Sequence, residues 1–367
     1  MATVGNAGMY RLRPRCYLSD QSGALGDELT DLMADGEVNV DADAEVPSTF
    51  SCRVRDPAAV PAWAWLRPFL RISWYDPTLG LQAVDEPVGH YQVMPPRESH
   101  SAAMGIAALD GRDGCWLLKQ SSVASGITYA QGANVVEAVR SLLAGAGFAR
   151  VHIPGKSNTF RAKRHFEAGT PRLDVVNELL HAVGYYPLWF DRSGVAMSRR
   201  IQPRYKVEPR RTIASGDGDV VRLVELETDP SRLCNRVTVT ADDPKREAPI
   251  VVVKSNTRAD SPASIANLGF VVAKTIQASN VDTASEATDI ANEALEDGAS
   301  VERRMSLATG PDPAYGFHET IRLAVERDDG TAVVDGLWFW TNLKLGLMPS
   351  QQPMAWVLNK VVPYSEE

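Results

Sequence analysis

The sequence predicts an α+β protein, mainly β, in which two related small antiparallel β-barrels are interleaved with helix–strand insert domains. Strand-like runs with a period of two, punctuated by Pro and Gly, fill both ends of the chain. Helical runs with one apolar face lie between them. A strand, an acidic turn and an aromatic strand occur in the same order near each end, which indicates a weak internal repeat.

The first barrel is predicted over residues 1–118, and strands from residues 200–240 could complete it. Alternating apolar residues within this part predict half-buried strands that are separated by turns. The predicted strands are Glu37–Arg55, Leu70–Trp74, Gly89–Val93 and Ala103–Asp110, with a turn at Tyr75–Gly80. Five or more such strands are typical of a small barrel or sandwich.

Residues 119–203 predict an α/β insert made of two helix–strand units. In each unit a helix ends at a Gly, and an aromatic residue and a short strand follow. Thr170 is the expected N-cap of the second helix, and Pro171 is its expected first residue. The helices are Asn134–Ala144 and Pro171–Val183, and a two-stranded ribbon spans Leu188–Arg199 around a turn at Asp191–Gly194.

The second barrel is assigned to residues 204–262 and 300–367, and residues 263–299 form a small helical insert. The insert contains a helix at Ala284–Asp297, whose alanines, Ile290 and Leu295 lie on one side. The repeat places Thr320–Val325 and Gly336–Trp340 on two strands, with a turn at Asp328–Gly330 between them.

The composition excludes several classes of protein. With 44% hydrophobic and 23% charged residues, the chain resembles soluble globular proteins. A net charge of −8 disfavours sequence-specific DNA binding, which needs clustered Lys and Arg. The start of the chain has no signal-peptide core, and no apolar run has the length of a membrane span. We therefore expect a protein of the cytoplasm or of a particle assembled there, without stable membrane association.

The search for catalytic motifs predicts no catalytic, cofactor-binding or metal-binding residue, and therefore no enzyme and no cofactor. The four cysteines lie far apart and form no zinc motif, and the six histidines form no H-E-x-x-H motif. Gly155-Lys156-Ser157 resembles the end of a phosphate loop, but Arg150 stands where that loop requires Gly.

Three groups of residues admit a second interpretation. Paired carboxylates could act as general acid and base in glycoside cleavage, although solvated surface charge is the ordinary explanation. Tryptophan pairs spaced by two could stack sugars, although a core or subunit contact is favoured. A basic patch is interpreted as a solvated or salt-bridged loop. These residues are Asp41 and Asp43, Asp85 and Glu86, Asp328 and Asp329, the tryptophans Trp63, Trp65, Trp74, Trp338 and Trp340, and Arg161–His165.

The helix and ribbon at Leu173–Gly194 resemble a segment of the tail hub proteins of long-tailed phages. There a helix that ends in a Gly-aromatic step leads to a strand, an Asp-x-x-Gly turn and a return strand. The run from the helix Ala284–Leu295 through Pro311-Asp312-Pro313 to the strand beginning at Asp335 is also similar. The resemblance covers nearly the whole chain through the order of its elements, but its motifs are short.

The resemblance implies a homotrimer whose two barrels per subunit form a pseudo-sixfold ring. Such a ring joins the tail tube or distal tail ring to the tip and surrounds the genome exit channel. The implied partners are the distal tail, tail tube, tape measure and other tail-tip proteins, with transient non-specific passage of DNA. The implied location is the tail tip of a virion assembled in the bacterial host cytoplasm. Because the chain stops at Glu367, we expect no added peptidase or lysozyme domain.

A glycan-binding or peptidoglycan-cleaving protein of the same tail remains the alternative. An acidic pair that faces an aromatic-lined cleft would favour an enzyme. Glycan binding by the isolated chain would favour an adhesion module.

Overall fold

The structure is a computed structural model of the chain. Within the residues that it describes, the largest component is a sheet of 15 strands, which is accompanied by three small sheets and five α-helices. The structure describes residues 10–30, 33–95, 97–98, 107–155, 157–214, 220–227, 233–241, 248–259, 261, 263–278, 281, 283–299, 304–310, 312, 315–326, 332–347 and 354–361.

The amino-terminal part contributes nine strands to the large sheet. Their order is β3-β4-β9-β7-β5-β1-β2, with β6 paired to β5 and β8 paired to β9. The strands are β1 Tyr10–Ser19, β2 Leu25–Glu28, β3 Met33–Asp41, β4 Ser48–Val54, β5 Trp65–Asp76, β6 Gly80–Pro87, β7 Tyr91–Val93, β8 Arg97–Glu98 and β9 Ala107–Arg112.

Alternation of side chains decides which face of these strands is buried. On β5, every second residue from Leu66 to Ile72 is buried, whereas Arg67, Phe69 and Arg71 between them are partly exposed. Because successive side chains of a strand point to opposite faces, one face of the sheet packs on the core and the other meets water. The sequence placed 75–80 in a turn and left most of 81–87 unassigned; Gly80–Pro87 instead forms β6, the hairpin partner of β5.

The carboxy-terminal part contributes the remaining six strands. Strand β22 lies at their centre and pairs with β21, β23 and β3. The strands are β15 Thr212–Ala214, β16 Val220–Glu227, β20 Arg304–Thr309, β21 Thr320–Glu326, β22 Ala332–Gly346 and β23 Met354–Lys360. The predicted strands at 320–325 and 336–340 form an antiparallel pair, whereas the turn expected at 328–330 lies outside the described residues.

The pairing of β3 with β22 joins the two halves into one continuous sheet. Leu343 lies opposite Val40, and Leu345 lies opposite Val38. All four side chains are fully buried, so the junction contributes to the core. One hydrophobic cluster accordingly extends from the amino-terminal strands to the carboxy-terminal ones. Burial of this apolar surface is the main force that holds the halves together.

The insert between the halves has its own hydrophobic cluster. Asn134 caps α2 by accepting a hydrogen bond from the Glu137 backbone N–H. Thr170 does not cap α3; its hydroxyl donates to the Glu167 carbonyl, and Pro171 holds the N-cap position without a side-chain bond. The elements are α1 Gly114–Gln120, α2 Val135–Gly145, α3 Arg172–Ala182, β10 Ile127–Tyr129, β11 Val151–His152, β12 Arg164–Phe166, β13 Trp189–Phe190 and β14 Ala196–Met197.

The predicted ribbon at 188–199 is confirmed, since β13 and β14 are antiparallel neighbours. Strand β11 adds to β14 in parallel and completes a three-stranded sheet. Helices α2 and α3 contact each other, and α1 contacts α3.

A separate three-stranded sheet packs against the longest helix. Its strand order is β18-β17-β19, and α5 lies against β17 and β18. The elements are β17 Arg236–Ala241, β18 Ile250–Ser255, α4 Ile265–Leu268, β19 Ala273–Gln277 and α5 Ala284–Ala299. The sequence assigned β17 and β18 to the second barrel, but the structure places them here. Val237, Val239 and Ala241 alternate as a half-buried strand would in either sheet, so periodicity alone did not separate the two.

In the part of the chain that the structure describes, no helix combines the length and the apolar character needed to cross a bilayer.

Candidate functional site

The carboxylate pairs that the structure describes do not meet across a cleft. Asp85 and Glu86 point to opposite faces of β6, and each is bound by arginine: Arg15 reaches Asp85 at 2.9 Å, and Arg192 reaches Glu86 at 3.0 Å. Asp41 accepts a hydrogen bond from the Asp43 backbone N–H. Asp328 and Asp329 lie outside the described residues. The described pairs therefore form surface contacts and turns, and they lack the arrangement of a glycosidase acid and base.

The tryptophans are divided between core and surface. Trp338 and Trp340 are buried, and so is Trp65. Trp63 does not share a strand face with Trp65, because it lies in the turn before β5 with φ of 64° and is 49% exposed. Its ring stacks on Trp116 at 5.9 Å between centroids. This partly exposed stack is the one described feature that fits the glycan-binding alternative.

A serine–histidine contact was not predicted from the sequence. The Ser19 hydroxyl lies 3.1 Å from Nε2 of His90. The His90 ring packs tightly against Gly194, where an added Cβ would lie 2.6 Å from Nδ1. Burial lowers the pKa of His90 to about 4, and its ring packs on Trp65 at 4.6 Å. The contact is therefore part of the packing between β1, β7 and the insert.

Thiol and metal chemistry have no support within the described residues. All four cysteines are buried as free thiols, and burial raises the pKa of Cys16 to about 12. Such thiols are poor nucleophiles and ligands. The described ranges contain no cluster of three His, Cys, Asp or Glu side chains that could hold a metal ion. His100 and Lys156 lie outside those ranges.

The basic patch at 161–165 is a salt-bridged surface. Arg164 pairs with Glu178 of α3, and Arg161 donates to the Val281 carbonyl at 2.7 Å. The patch therefore connects the insert to the segment that precedes α5.

A buried arginine connects three parts of the chain. Arg204 follows the insert, pairs with Glu293 and Asp297 of α5, and lies 3.6 Å from the ring centroid of Phe339 on β22. It adjoins a cavity of about 290 Å³ at the meeting point of the amino-terminal sheet, the insert, α5 and the carboxy-terminal sheet. The cavity is lined by residues of 42–47, 186–189 and 317–318 together with Asn177, Arg204, Glu293 and Asp297. The cavity therefore marks the place where the two halves of the large sheet, the insert and α5 meet.

The solvent face of β1, β5 and β6 carries a concentration of arginine. Arg13 lies opposite Arg71, which lies opposite Asp85, while Arg11 lies opposite Ser73. Since opposite residues of antiparallel strands share a face, these side chains form one surface. It borders a groove of about 610 Å³. We call this surface the arginine face; it comprises Arg11, Arg13, Arg15, Tyr17, Glu28, Phe69, Arg71, Ser73 and Asp85.

Arg15 organises the centre of the arginine face. Its guanidinium donates to both carboxylate oxygens of Glu28, at 3.0 and 2.9 Å, and to Asp85 at 2.9 Å. The hydrogen bonds from Arg15 lower the pKa of Glu28 to about 2. Arg71 also reaches Asp85, at 3.6 Å. Both carboxylates are therefore already engaged within the face.

The arginine face was not predicted from the sequence, although a signal was present. Arg11, Arg13 and Arg15 alternate with a period of two, which is the strand period. The partner positions on β5 and β6 depend on pairing between segments about 60 residues apart, which sequence periodicity does not give.

Comparison with solved structures identifies the fold. The tail protein from Neisseria meningitidis MC58 matches with a TM-score of 0.62 and 15% identity, covering 95% of this chain and 96% of that one. The 43 kDa tail protein of prophage MuSo2 from Shewanella oneidensis matches with a TM-score of 0.60 and 12% identity, covering 95% and 98%. The chain has the fold of prophage tail proteins. The resemblance expected from the sequence is confirmed at this level.

The likeness of this tail-protein fold extends to gp18, a prophage tail protein from Listeria monocytogenes EGD-e. It has a TM-score of 0.54 and 10% identity and covers 94% of each chain. No family model and no curated protein sequence matches the chain. The fold is thus shared over the full length of these tail proteins while the sequences have diverged.

Proposed function

We propose that the chain is a structural, non-catalytic hub subunit of a phage tail tip. The observation that carries this proposal is the likeness to tail proteins over nearly the whole chain, since the match with the Neisseria protein covers 95% of this chain and 96% of that one. A match of this extent includes the whole arrangement of sheets and inserts. Because fold alone does not define function, the proposal also draws on the sites. The carboxylate pairs that the structure describes lack the geometry of a catalytic acid and base, and the His90 of the Ser19–His90 contact is buried against Trp65.

The proposed assembly is a homotrimer in which the two halves of each large sheet act as near-equivalent lobes. Three chains then present six lobes, which suits a junction between a sixfold tube and a threefold tip. The continuous sheet through β3 and β22 supports this arrangement, since it would hold the two lobes of one chain at a constant spacing. The proposed neighbours are the tail tube, distal tail, tape measure and other tail-tip proteins, and the genome would pass through the ring during ejection.

Deletion of the gene from its phage or prophage tests this function. Induced particles would be imaged by negative-stain electron microscopy, and their proteins would be quantified by mass spectrometry. We expect tails to be missing or to lack the tip, to be restored by the gene supplied in trans, and to contain about three copies of the chain when restored.

Complete tails without the chain would contradict the proposal. If the isolated chain also bound glycans through the exposed Trp63–Trp116 stack, so that Trp63→Ala abolished binding, the glycan-binding alternative would replace it.

A further inference from the structure

The small sheet of β17, β18 and β19 is open along β18. In the part of the chain that the structure describes, β18 pairs with β17 alone. Helix α5 covers one face of the sheet, where Val237 and Val239 are fully buried. On the other face, Val251 and Val253 of β18 are both 54% exposed. Exposed apolar side chains therefore lie on a strand whose outer side has no neighbour among the described residues.

The hydrogen-bond pattern shows where the backbone groups of β18 point. Asn256 continues the ladder opposite Asn235, and its N–H donates to the Asn235 carbonyl at 2.9 Å. Because hydrogen-bonded and non-hydrogen-bonded pairs alternate along an antiparallel ladder, every second residue of β18 bonds to β17. Val252 belongs to that set, so the N–H and C=O groups of Val251 and Val253 point away from β17. Outward backbone donors and acceptors thus coincide with the exposed valines.

The open side of β18 lacks the usual protection against strand pairing. Proteins block exposed edges with charged residues, prolines or bulges. Strand β6, which pairs only with β5 among the described strands, carries Asp85, Glu86 and Pro87. Val251–Val253 contain no charged residue and no proline, and β18 pairs with β17 in an uninterrupted register. Three successive β-branched residues also favour an added strand. We therefore expect a partner to cover this edge in the working protein.

We propose that an extended segment of a different protein adds to β18 as a further strand of this sheet. The outward backbone groups at Val251 and Val253 match a strand, whereas a helix or a nucleic acid duplex offers no such row of groups. The added segment needs apolar side chains on the face of the two valines, alternating with polar ones on the other face.

Charge also favours a different protein over a second copy of this sheet. Arg236 lies on the face of the exposed valines, opposite Ser255. The sequences of β17, β18 and β19 contain no Asp or Glu, so a second copy of the sheet brings no carboxylate to Arg236. A segment with an acidic residue at that end complements it. The inference concerns this sheet alone and does not depend on the proposed ring.

Photo-crosslinking of the full-length chain, in the cells used for the deletion experiment, tests the inference. The photoreactive residue p-benzoylphenylalanine would replace Val251, and mass spectrometry would locate the point of attachment. The blocking variant is Val253→Pro, made in the same chain. It removes an N–H that points away from β17, so the ladder between β17 and β18 is expected to persist. Circular dichroism of the purified variant would verify its fold.

The matched control is Thr275→Pro, at the opposite edge of the same sheet. Thr275 is an exposed residue of β19. The Ala278 N–H donates to the Thr240 carbonyl at 2.8 Å, and alternate residues of a parallel strand bond to the same neighbour. The Thr275 N–H therefore also points away from β17, so the two variants place the same ring on the two sides of one sheet.

We expect a cross-link to one segment of one other protein, in a stretch where apolar and polar residues alternate. Val253→Pro should lower the yield at least about tenfold, because it removes a backbone donor and places a ring against the added strand. Thr275→Pro should leave the yield unchanged. A synthetic peptide of the cross-linked segment should bind the purified chain in fluorescence anisotropy, and Val253→Pro should weaken its binding at least about tenfold.

The absence of a cross-link, a cross-link to a second copy of the chain, or a yield that Val253→Pro leaves unchanged would overturn the inference. Hydrogen exchange adds a test without a substitution. The Val253 amide should exchange quickly in the purified chain and at least about tenfold more slowly with the peptide bound, and equal rates would also overturn the inference. The deletion experiment decides separately whether the chain is a tail component.

Discussion

The pKa of Glu296 is shifted because packing buries this carboxyl group on α5. Its side chain is 1% exposed on α5, and its Oε2 atom accepts a hydrogen bond from the Arg204 backbone N–H at 2.7 Å. Its Oε1 atom is buried without a hydrogen-bond partner. Burial raises the pKa of Glu296 to about 8, although Arg204 acts in the opposite direction. The folded protein therefore binds this proton more tightly than the unfolded chain.

Glu296→Gln should remove part of the pH dependence of stability. A raised folded-state pKa gives stability that is complete below the unfolded pKa of about 4.5 and is lost as the pH rises through about 8. Between these values the unaltered protein should lose up to about 1.4 kcal/mol per pH unit relative to the variant. Unfolding in urea at pH 5, 6, 7 and 8 would measure the difference. Glu178→Gln, at an exposed pair, is the control, and parallel pH profiles for all three proteins would contradict the assignment.

Close packing at Gly298 leaves no room for a side chain. Gly298 lies near the end of α5, and a Cβ there would overlap the carbonyl oxygen and the Cβ of Cys234. Because the contacted oxygen belongs to the backbone, it cannot move aside cheaply.

Gly298→Ala should lower the free energy of unfolding by about 1–3 kcal/mol through overpacking. Gly145→Ala is a matched control near the end of α2, where the added Cβ would meet only the Arg172 side chain at 3.5 Å. That change should be neutral or stabilising by up to about 1 kcal/mol, because alanine is the better helix former. Thermal unfolding by circular dichroism compares them, and equal effects of the two substitutions would show that the α5 contact is not tight.

At the residue scale, the sequence predicted the burial of side chains on regular strands better than the placement of a side chain in a turn. It favoured burial or contact for Trp338 and Trp340, which are buried. It could not place Trp63, because the left-handed backbone conformation that separates Trp63 from β5 leaves no periodic signal.

Elements with a strong local signal were predicted well. Helix α2, predicted from its apolar stripe over Asn134–Ala144, spans Val135–Gly145, and the ribbon of β13 and β14 turns at Asp191–Gly194. Strands whose sheet is chosen by tertiary packing were predicted less well. Strand β17 was assigned to the wrong sheet, since its alternation fits either. Pairing across long separations depends on tertiary packing, which a single sequence does not display.

Substitution of Arg204 tests how much its contacts with α5 and β22 contribute to the free energy of unfolding. Arg204→Ala would leave Glu293 and Asp297 of α5 without their cation and would remove the stacking on Phe339. Loss of one partner from a buried pair costs about 3–5 kcal/mol. Denaturant unfolding should show a loss of this size, and Arg204→Lys should recover only part of it, since lysine lacks the planar fork.

Arg164→Ala supplies the comparison, because Arg164 pairs with Glu178 at the surface. Exposed pairs contribute about 0–1 kcal/mol, so this variant should unfold nearly like the unaltered protein. If Arg204→Ala were equally mild, the junction between α5, the segment that follows the insert and β22 would not depend on Arg204.

At the scale of the whole molecule, the sequence indicated two β-rich halves around helical inserts, and the structure has strands at both ends and helices between them. The sequence did not indicate that β3 and β22 would pair, because those strands are about 300 residues apart. This pairing makes the two halves one sheet with a shared core, and it supports the proposal that they act together as two lobes of one ring subunit.

Single-particle electron microscopy of tail tips that contain the chain tests the central claim most directly. We predict a threefold ring with six similar lobes around a central channel, in which each chain supplies two adjacent lobes joined through β3 and β22. Tail tips in which the chain is absent from the ring, or is present as separate compact monomers on the outer surface, would contradict it.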